Sequence, residues 1–260
     1  MTPENSEFLP APDASHDEME ALQRRLAERA VFEDDGVPSP GALELSKTPA
    51  LKEGETAVSE SPIVVGVDQA FLDDQAVSAA VAIQDGVVIE VACGKTPLSI
   101  PYIPGLLAFR EGEPIIEALE ALSVTPDLLV FDGNGRIHYR QAGIATHIGV
   151  LYDSPAVGVA KNLLCGTPER SLEAPLSEGT RIPIYADEEV EADTGTVLGY
   201  AFQSRQFPNP DRRHVNPIFV SPGHRVHPET AVELIQALGT GYKLPAPIRL
   251  ADQAAAECKH

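Results

Sequence analysis

"IVVGVDQAFLDDQAVSAAVAIQDGVVIEVACG", residues 63–94, decides the fold. It holds three short β-rich runs, 63–71, 76–84 and 86–94, separated by polar turns, which is the pattern of an antiparallel meander. Downstream, "IPGLLAFREGEPIIEALEAL" (103–122) has helical spacing, interrupted or restarted near Pro114, and "DLLVFD" (127–132) reads as a buried strand. A helix through "QAGIATHIGVLY" and a strand at "PAVGVA" follow. Beyond residue 180, "TVLGYAF" and "PIFVS" read as strands, and "PETAVELIQAL" and "RLADQAAAE" as helices. Paired strands followed by alternating helices and strands predict an α/β fold with a mixed sheet flanked by helices.

Upstream of the meander, Ser15 and Glu18 form the pattern of a capping box. Met19, Leu22, Leu26 and Ala30 then recur at helical spacing, predicting an amphipathic helix over 16–31. From Phe32 to Ser61 the text is acidic, proline-punctuated and without period, which reads as a long mobile connection. The expected division is an N-terminal helix with its acidic flexible segment over 1–60, and a catalytic domain over 61–260.

The chain has 260 residues, 43% of them hydrophobic, enough to bury a substantial core. Its formal net charge is −20, the wrong sign for a nucleic-acid binder in dilute buffer. No stretch approaches the length of a membrane span and the N-terminus shows no leader pattern, so a cytoplasmic protein without membrane contact is expected. Cys93, Cys165 and Cys258 are widely spaced, and three reduced thiols are expected.

Several residues fit a chemical role. Asp68 interrupts an apolar strand near its middle, where an unpaired carboxylate is costly. Asp132 ends the strand "DLLVFD", where α/β sheets expose functional groups, and Gly133 and Gly135 follow it. Glu111 and Asp252 lie on helical stretches. If Asp68 and Asp132 occupy neighbouring strands, their repulsion, about 4 kcal/mol at 4 Å and an effective dielectric of 20, favours a divalent cation between them. Oxygen-only ligation favours Mg²⁺ or Mn²⁺. Taken singly, each acid is better read as a strand-end cap or a surface charge, and His138 and His147 as structural histidines. Lys161, one of six lysines, follows a buried strand and fits a phosphate contact. The Gly133-Asn134-Gly135 turn lacks the signatures of a nucleotide-cofactor loop.

The segments "VVGVDQAF", "PYIPGLLAFRE", "VFDGNGRIHYRQAGIATHIGV", "VGVAKNLLCGT", "VSPGHRV" and "GYKLPAPIRLAD" together resemble the endonuclease V family. The resemblance covers roughly residues 61–253, with an echo at "ALQRRLAERAV". It implies a ribonuclease-H-like fold, with metal-binding acids at Asp68, Glu111 and Asp132 and a further metal-proximal acid at Asp252. It places His138 beside the reaction centre and Lys161 near the phosphate or leaving group. Pro101, Tyr102, Ile103 and Pro104 would form a wedge entering the duplex, and Gly105, Gly133, Ile144, Gly158 and Leu164 would line a pocket for a flipped hypoxanthine. A tyrosine braced between prolines suits a wedge, because its ordering entropy is already spent. The sequence departs from the family's usual text at Asn134, Tyr139 and Thr146, and in a longer stretch, "QSRQFPNPDRRHVNP". There Arg205, Arg212 and Arg213 read as DNA-backbone contacts or, the favoured reading, as solvation of a loop.

The expected activity is Mg²⁺-dependent hydrolysis, by a monomer, of DNA containing deoxyinosine, at the second phosphodiester bond 3′ to the lesion. That cut leaves a 3′-hydroxyl and a 5′-phosphate. The alternatives are cleavage of inosine-containing RNA and a non-catalytic binding module. In molar salt the Debye length falls to about 3 Å, so the acidity predicts an extreme halophile, an archaeon, as the source.

Overall fold

The computed structural model describes residues 1–11, 13–51, 59–72, 74–98, 103 and 105–259. In chain order the elements are α1 (His16–Arg29), β1 (Ala50–Leu51), β2 (Val64–Leu72), β3 (Gln75–Gln84), β4 (Val87–Pro97), α2 (Leu107–Glu120), β5 (Leu128–Asp132) and α3 (Ile144–Tyr152). There follow β6 (Ala156–Ala160), β7 (Thr167–Pro168), β8 (Arg181–Tyr185), β9 (Val197–Phe202), β10 (Ile218–His224), α4 (Pro228–Ala237) and α5 (Ala246–Glu257). Among the described residues the strands form one sheet in the order β1-β4-β3-β2-β5-β6-β10-β9-β8-β7.

The meander is present: β2 pairs antiparallel with β3, and β3 with β4. β5 and β6 then join parallel to β2, and β10 returns antiparallel to β6. This is the mixed, ribonuclease-H-like sheet expected of the sequence. Its central strands are continuous apolar runs because both faces are covered. Val65, Val67, Leu129 and Phe131 pack with residues of α2 and α3, Leu26 of α1 and Phe8. Their neighbours of opposite parity, Val64, Leu128 and Val130, pack with α4 and with Ile248 of α5.

The structure revises several expectations. α2 runs through Pro114 without a break. The missing N–H forfeits one bond of the ladder, and the helix is held by burial instead, with Ile115, Ala118 and Leu119 fully enclosed. The capping box at Ser15 and Glu18 forms, and α1 ends at Arg29. Within the stretch expected to be a mobile connection, Leu43 is buried, with Val37 and Leu45 packed beside it under α4. Residues 52–58 of that stretch lie outside the described residues. Cys93 and Cys258 are joined in a disulfide, leaving only Cys165 free, where three thiols were expected. Sequence separation hid this pairing: α5 crosses β2 and β3 and brings its end onto β4, with the two Cα atoms 6.5 Å apart. No helix among the described residues is long and apolar enough to cross a membrane.

Candidate active site

Strand register places the acids. Val67 of β2 is paired with Phe131 of β5, so Asp68 and Asp132 follow side by side on adjacent parallel strands. Asp132 is in turn paired with Val159 of β6, which brings Lys161 to the same rim of the sheet. Both aspartates share strand parity with the residues under α4 and α5, and Asp252 comes from α5 on that side. Glu111 comes from α2 on the opposite face. The acids therefore approach the rim from two sides of the sheet.

Their electrostatics differ from those of ordinary surface carboxylates. Asp68 is 5% exposed; burial first, then the Asp132 charge, push its pKa up to about 7 against the opposing backbone hydrogen bond from Gln69. Glu111, 4% exposed, is also pushed up to about 7, chiefly by burial and further by Asp132, with Arg110 acting the other way. Lys161 donates to Asp132 Oδ2 at 2.6 Å. Burial would lower the Lys161 pKa, but Asp132, Asp68 and Asp252 together hold it raised, so it stays protonated. In this arrangement its ammonium neutralises Asp132, and no three His, Cys, Asp or Glu side chains among the described residues are gathered closely enough to grip a metal. The chemistry of the donor set nevertheless suits one: buried oxygen donors that repel each other gain most from a hard divalent ion.

Beside the acids is a pocket of about 90 Å³, lined by Gln23, Gly105, Leu107, Ala108, Glu111, Asp132, Gly133, Asn134, His138, Ala142, Gly143, Ile144 and Leu164. Of the residues expected around a base, Gly105, Gly133, Ile144 and Leu164 are at its wall. Gly158 is not: it lies beneath the Gly133–Gly135 turn, where an added Cβ would come within 2.5 Å of Gly133 O and Gly135 N. Its role is to let β6 pass close under that turn. Pro101, Tyr102 and Pro104 fall outside the described residues, and Ile103 packs against Met19, Leu106 and Phe109.

His138 is 2% exposed, and both its ring nitrogens are used by backbone. Nδ1 accepts from Arg140 N at 3.1 Å, which leaves the proton on Nε2 to be donated to Gly105 O at 2.9 Å. Burial depresses its pKa to about 4 despite the Gly105 bond, so the ring is neutral. The same carbonyl receives a second bond, 2.6 Å, from Gln23 Nε2. Gly105 has φ +82, a left-handed conformation that glycine adopts without strain. Two side chains from distant parts of the chain thus fix the residue where the expected wedge meets the pocket.

Gln23 was missed in the sequence, although the signal is visible: it interrupts the apolar stripe of α1 between Met19 and Leu26 and is only 1% exposed. Its Oε1 accepts from Arg140, whose guanidinium is also ion-paired with Glu20 and lies 3.6 Å from Glu191. His147 Nε2 bonds Phe8 O at 2.7 Å. Arg140 and His147 therefore clamp the N-terminal segment onto the site.

The model of the Endonuclease V family matches residues 45–253. The chain belongs to the Endonuclease V family. It is 59% identical to Endonuclease V of Halobacterium salinarum, covering 96% of this chain and 97% of that protein, and 55% identical to that of Natronomonas pharaonis, covering 97% and 95%. Both are halophilic archaea, as the acidity leads one to expect. Among solved structures, Endonuclease V of Bacillus subtilis superposes with a TM-score of 0.77 at 26% identity, over 100% of this chain and 97% of that one. The Ciona intestinalis Endonuclease V superposes with a TM-score of 0.68 at 25% identity over 94% and 96%, and was crystallised with a 24mer DNA containing an inosine followed by a ribo-adenosine. As a member of the Endonuclease V family, the chain is a nuclease that acts by hydrolysis.

Proposed function

We propose that this chain cuts DNA at deoxyinosine, at the second phosphodiester bond 3′ to the lesion, leaving a 3′-hydroxyl and a 5′-phosphate. The observation that carries the reading is the adjacency of a small glycine-walled pocket to a rim of paired acids, with Asp132 and Glu111 belonging to both. A base extruded from the stack would enter the pocket between Gly133, Ile144 and Leu164, with Gly105 held rigid by Gln23 and His138. Water attacks phosphorus and the bond to the 3′ oxygen breaks. Lys161, kept protonated by the surrounding carboxylates, is placed to meet charge on the phosphate or on the departing oxygen. The neutral His138, with both nitrogens engaged, positions Gly105 instead of moving a proton.

Mg²⁺, replaceable by Mn²⁺, would be held by Asp68, Asp132 and Glu111 with Asp252 nearby. When bound it supplies water activation and charge stabilisation at phosphorus. The burial of Asp68 and Glu111 supports this, since burial pushes both pKa values up to about 7 although Lys161 acts on the one and Arg110 on the other.

The test uses purified protein in molar KCl with Mg²⁺ and matched DNA and RNA strands with and without one inosine. The expected product is a single nick in inosine DNA only, abolished by EDTA. Cleavage confined to inosine RNA would replace the substrate, and tight binding without any nick would make the chain a recognition module.

A further inference from the structure

A chain of net charge −20 that acts on a polyanion needs local positive surface, and in molar salt only charges touching phosphate count, because the Debye length is about 3 Å. The geometry points to the loop between β9 and β10, residues 203–217, as a docking surface for the sugar–phosphate backbone of DNA, with Arg205, Arg212 and Arg213 as its phosphate contacts. This rests on the reading that DNA is the substrate.

Three observations converge. The first is position: Phe219 at the start of β10 is paired with Ala160 at the end of β6, so the loop leaves the sheet at the rim that carries Lys161 and Asp132. Ser204 Oγ also bonds Lys243 O at 2.5 Å, and the Lys243 ammonium is close enough to Lys161 for the two to repel. The second is construction. Gln203, 1% exposed, donates to the carbonyls of Arg205 and Val215 at 2.6 and 2.8 Å. Gln206 Oε1 accepts from the N–H groups of Phe207 and Val215 at 2.9 and 3.0 Å. A loop tied internally in this way presents its side chains in fixed places at reduced entropic cost. The third is charge. Arg24, Arg110, Arg140, Arg181 and Arg225 each stand within 4 Å of a carboxylate. Arg205, Arg212 and Arg213 form no ion pair among the described residues, although acids outnumber bases 39 to 19. Instead Arg205 and Arg213 flank the ring of Phe207, 5.7 and 4.5 Å from its centroid, and Arg212 and Arg213 are exposed. A guanidinium in this state offers a planar donor fork matched to phosphate oxygens. Solvation alone would not explain why, of the eight arginines without an ion pair among the described residues, three share this one loop at the rim that carries Lys161.

The experiment measures binding of the full chain to a plain duplex and to one with a single inosine across a KCl series, for wild type, R205Q/R212Q/R213Q and each single variant. Lys47→Gln is the control: Lys47 is exposed and lies just past Leu45, by the Val64 end of β2 and away from the rim. The expected result is a log–log salt dependence shallower by about 0.9 per arginine removed, with weaker binding to both duplexes and an unchanged inosine preference. The single variants carry the same test should the triple variant fold poorly. Slopes equal to those of wild type and Lys47→Gln would overturn the proposal. Loss of inosine preference in wild type would defeat the substrate reading, while the slopes on plain DNA would still decide the role of the loop.

Discussion

The two rims of the sheet handle charge in opposite ways. At the rim where β6 and α3 meet the end of β10, Asp153 is matched by two partners. His224 Nε2 bonds Asp153 Oδ1 at 2.9 Å while its Nδ1 accepts from Val31 N, and Arg225 reaches Asp153 at 2.9 Å and Asp35 at 3.4 Å. At the far rim Asp68 and Glu111 are buried with pKa values near 7, and Lys161 alone serves Asp132. Balanced charge ties the N-terminal segment to the core, whereas the far rim keeps carboxylates whose repulsion the proposed function would relieve with a cation.

The strongest way to break this contrast is Asp132→Asn. It removes the acid shared by pocket and rim, so nicking of inosine DNA should fall by about 10³-fold. Melting should barely change, because Asp132 has no structural partner except Lys161 among the described residues. Near-normal turnover would show that the rim acids are not the catalytic ones.

Asp153→Ala probes the matched rim. It strands His224, 1% exposed, and half the bonding of Arg225. A fully buried pair would cost more, but Asp153 is 28% exposed, so the loss should be about 2 kcal/mol, or roughly 4–8 °C in Tm. Calorimetry checks the stability, and nicking per folded molecule should be unchanged.

The smallest effect concerns pH. With folded pKa values raised to about 7, Asp68 and Glu111 contribute stability that is fully present below their ordinary range near 4 and is lost as pH rises through 7. His138 and His147, both depressed to about 4 by burial, act in the reverse sense, their contribution disappearing as pH falls from 6.5 towards 4. The wild-type curve mixes the two, so the useful quantity is the difference from Asp68→Asn, which cannot ionise. In EDTA that variant should gain on wild type as pH rises from 4 to 8, by on the order of 2 kcal/mol. Denaturant titrations at each pH measure it, and a difference that stays flat would mean that Asp68 carries an ordinary pKa.

Local pattern made much of this legible. The meander over 63–94 needed only alternating runs and polar turns, and the ends of β5 and β6 were marked by an acid, a glycine turn and a lysine in an otherwise apolar text. The α1 cap was equally plain, because a capping box is written in four consecutive residues. Pro114 misled because propensity treats proline as a breaker, while packing of Ile115, Ala118 and Leu119 against the sheet outweighs one lost bond.

Sequence by itself determined the class of fold and the acidity of the chain, since these are matters of pattern and composition, while the rim acids were named by resemblance to the family. Only the tertiary structure decided which distant groups meet. Gln23 and His138 share the Gly105 carbonyl across 82 and 33 residues, Cys93 reaches Cys258 across 165, and the arginines of the 203–217 loop arrive at the catalytic rim through the pairing of β10 with β6. Such meetings depend on strand order and on which face a helix crosses. A linear pattern records neither, because period and spacing describe one element at a time.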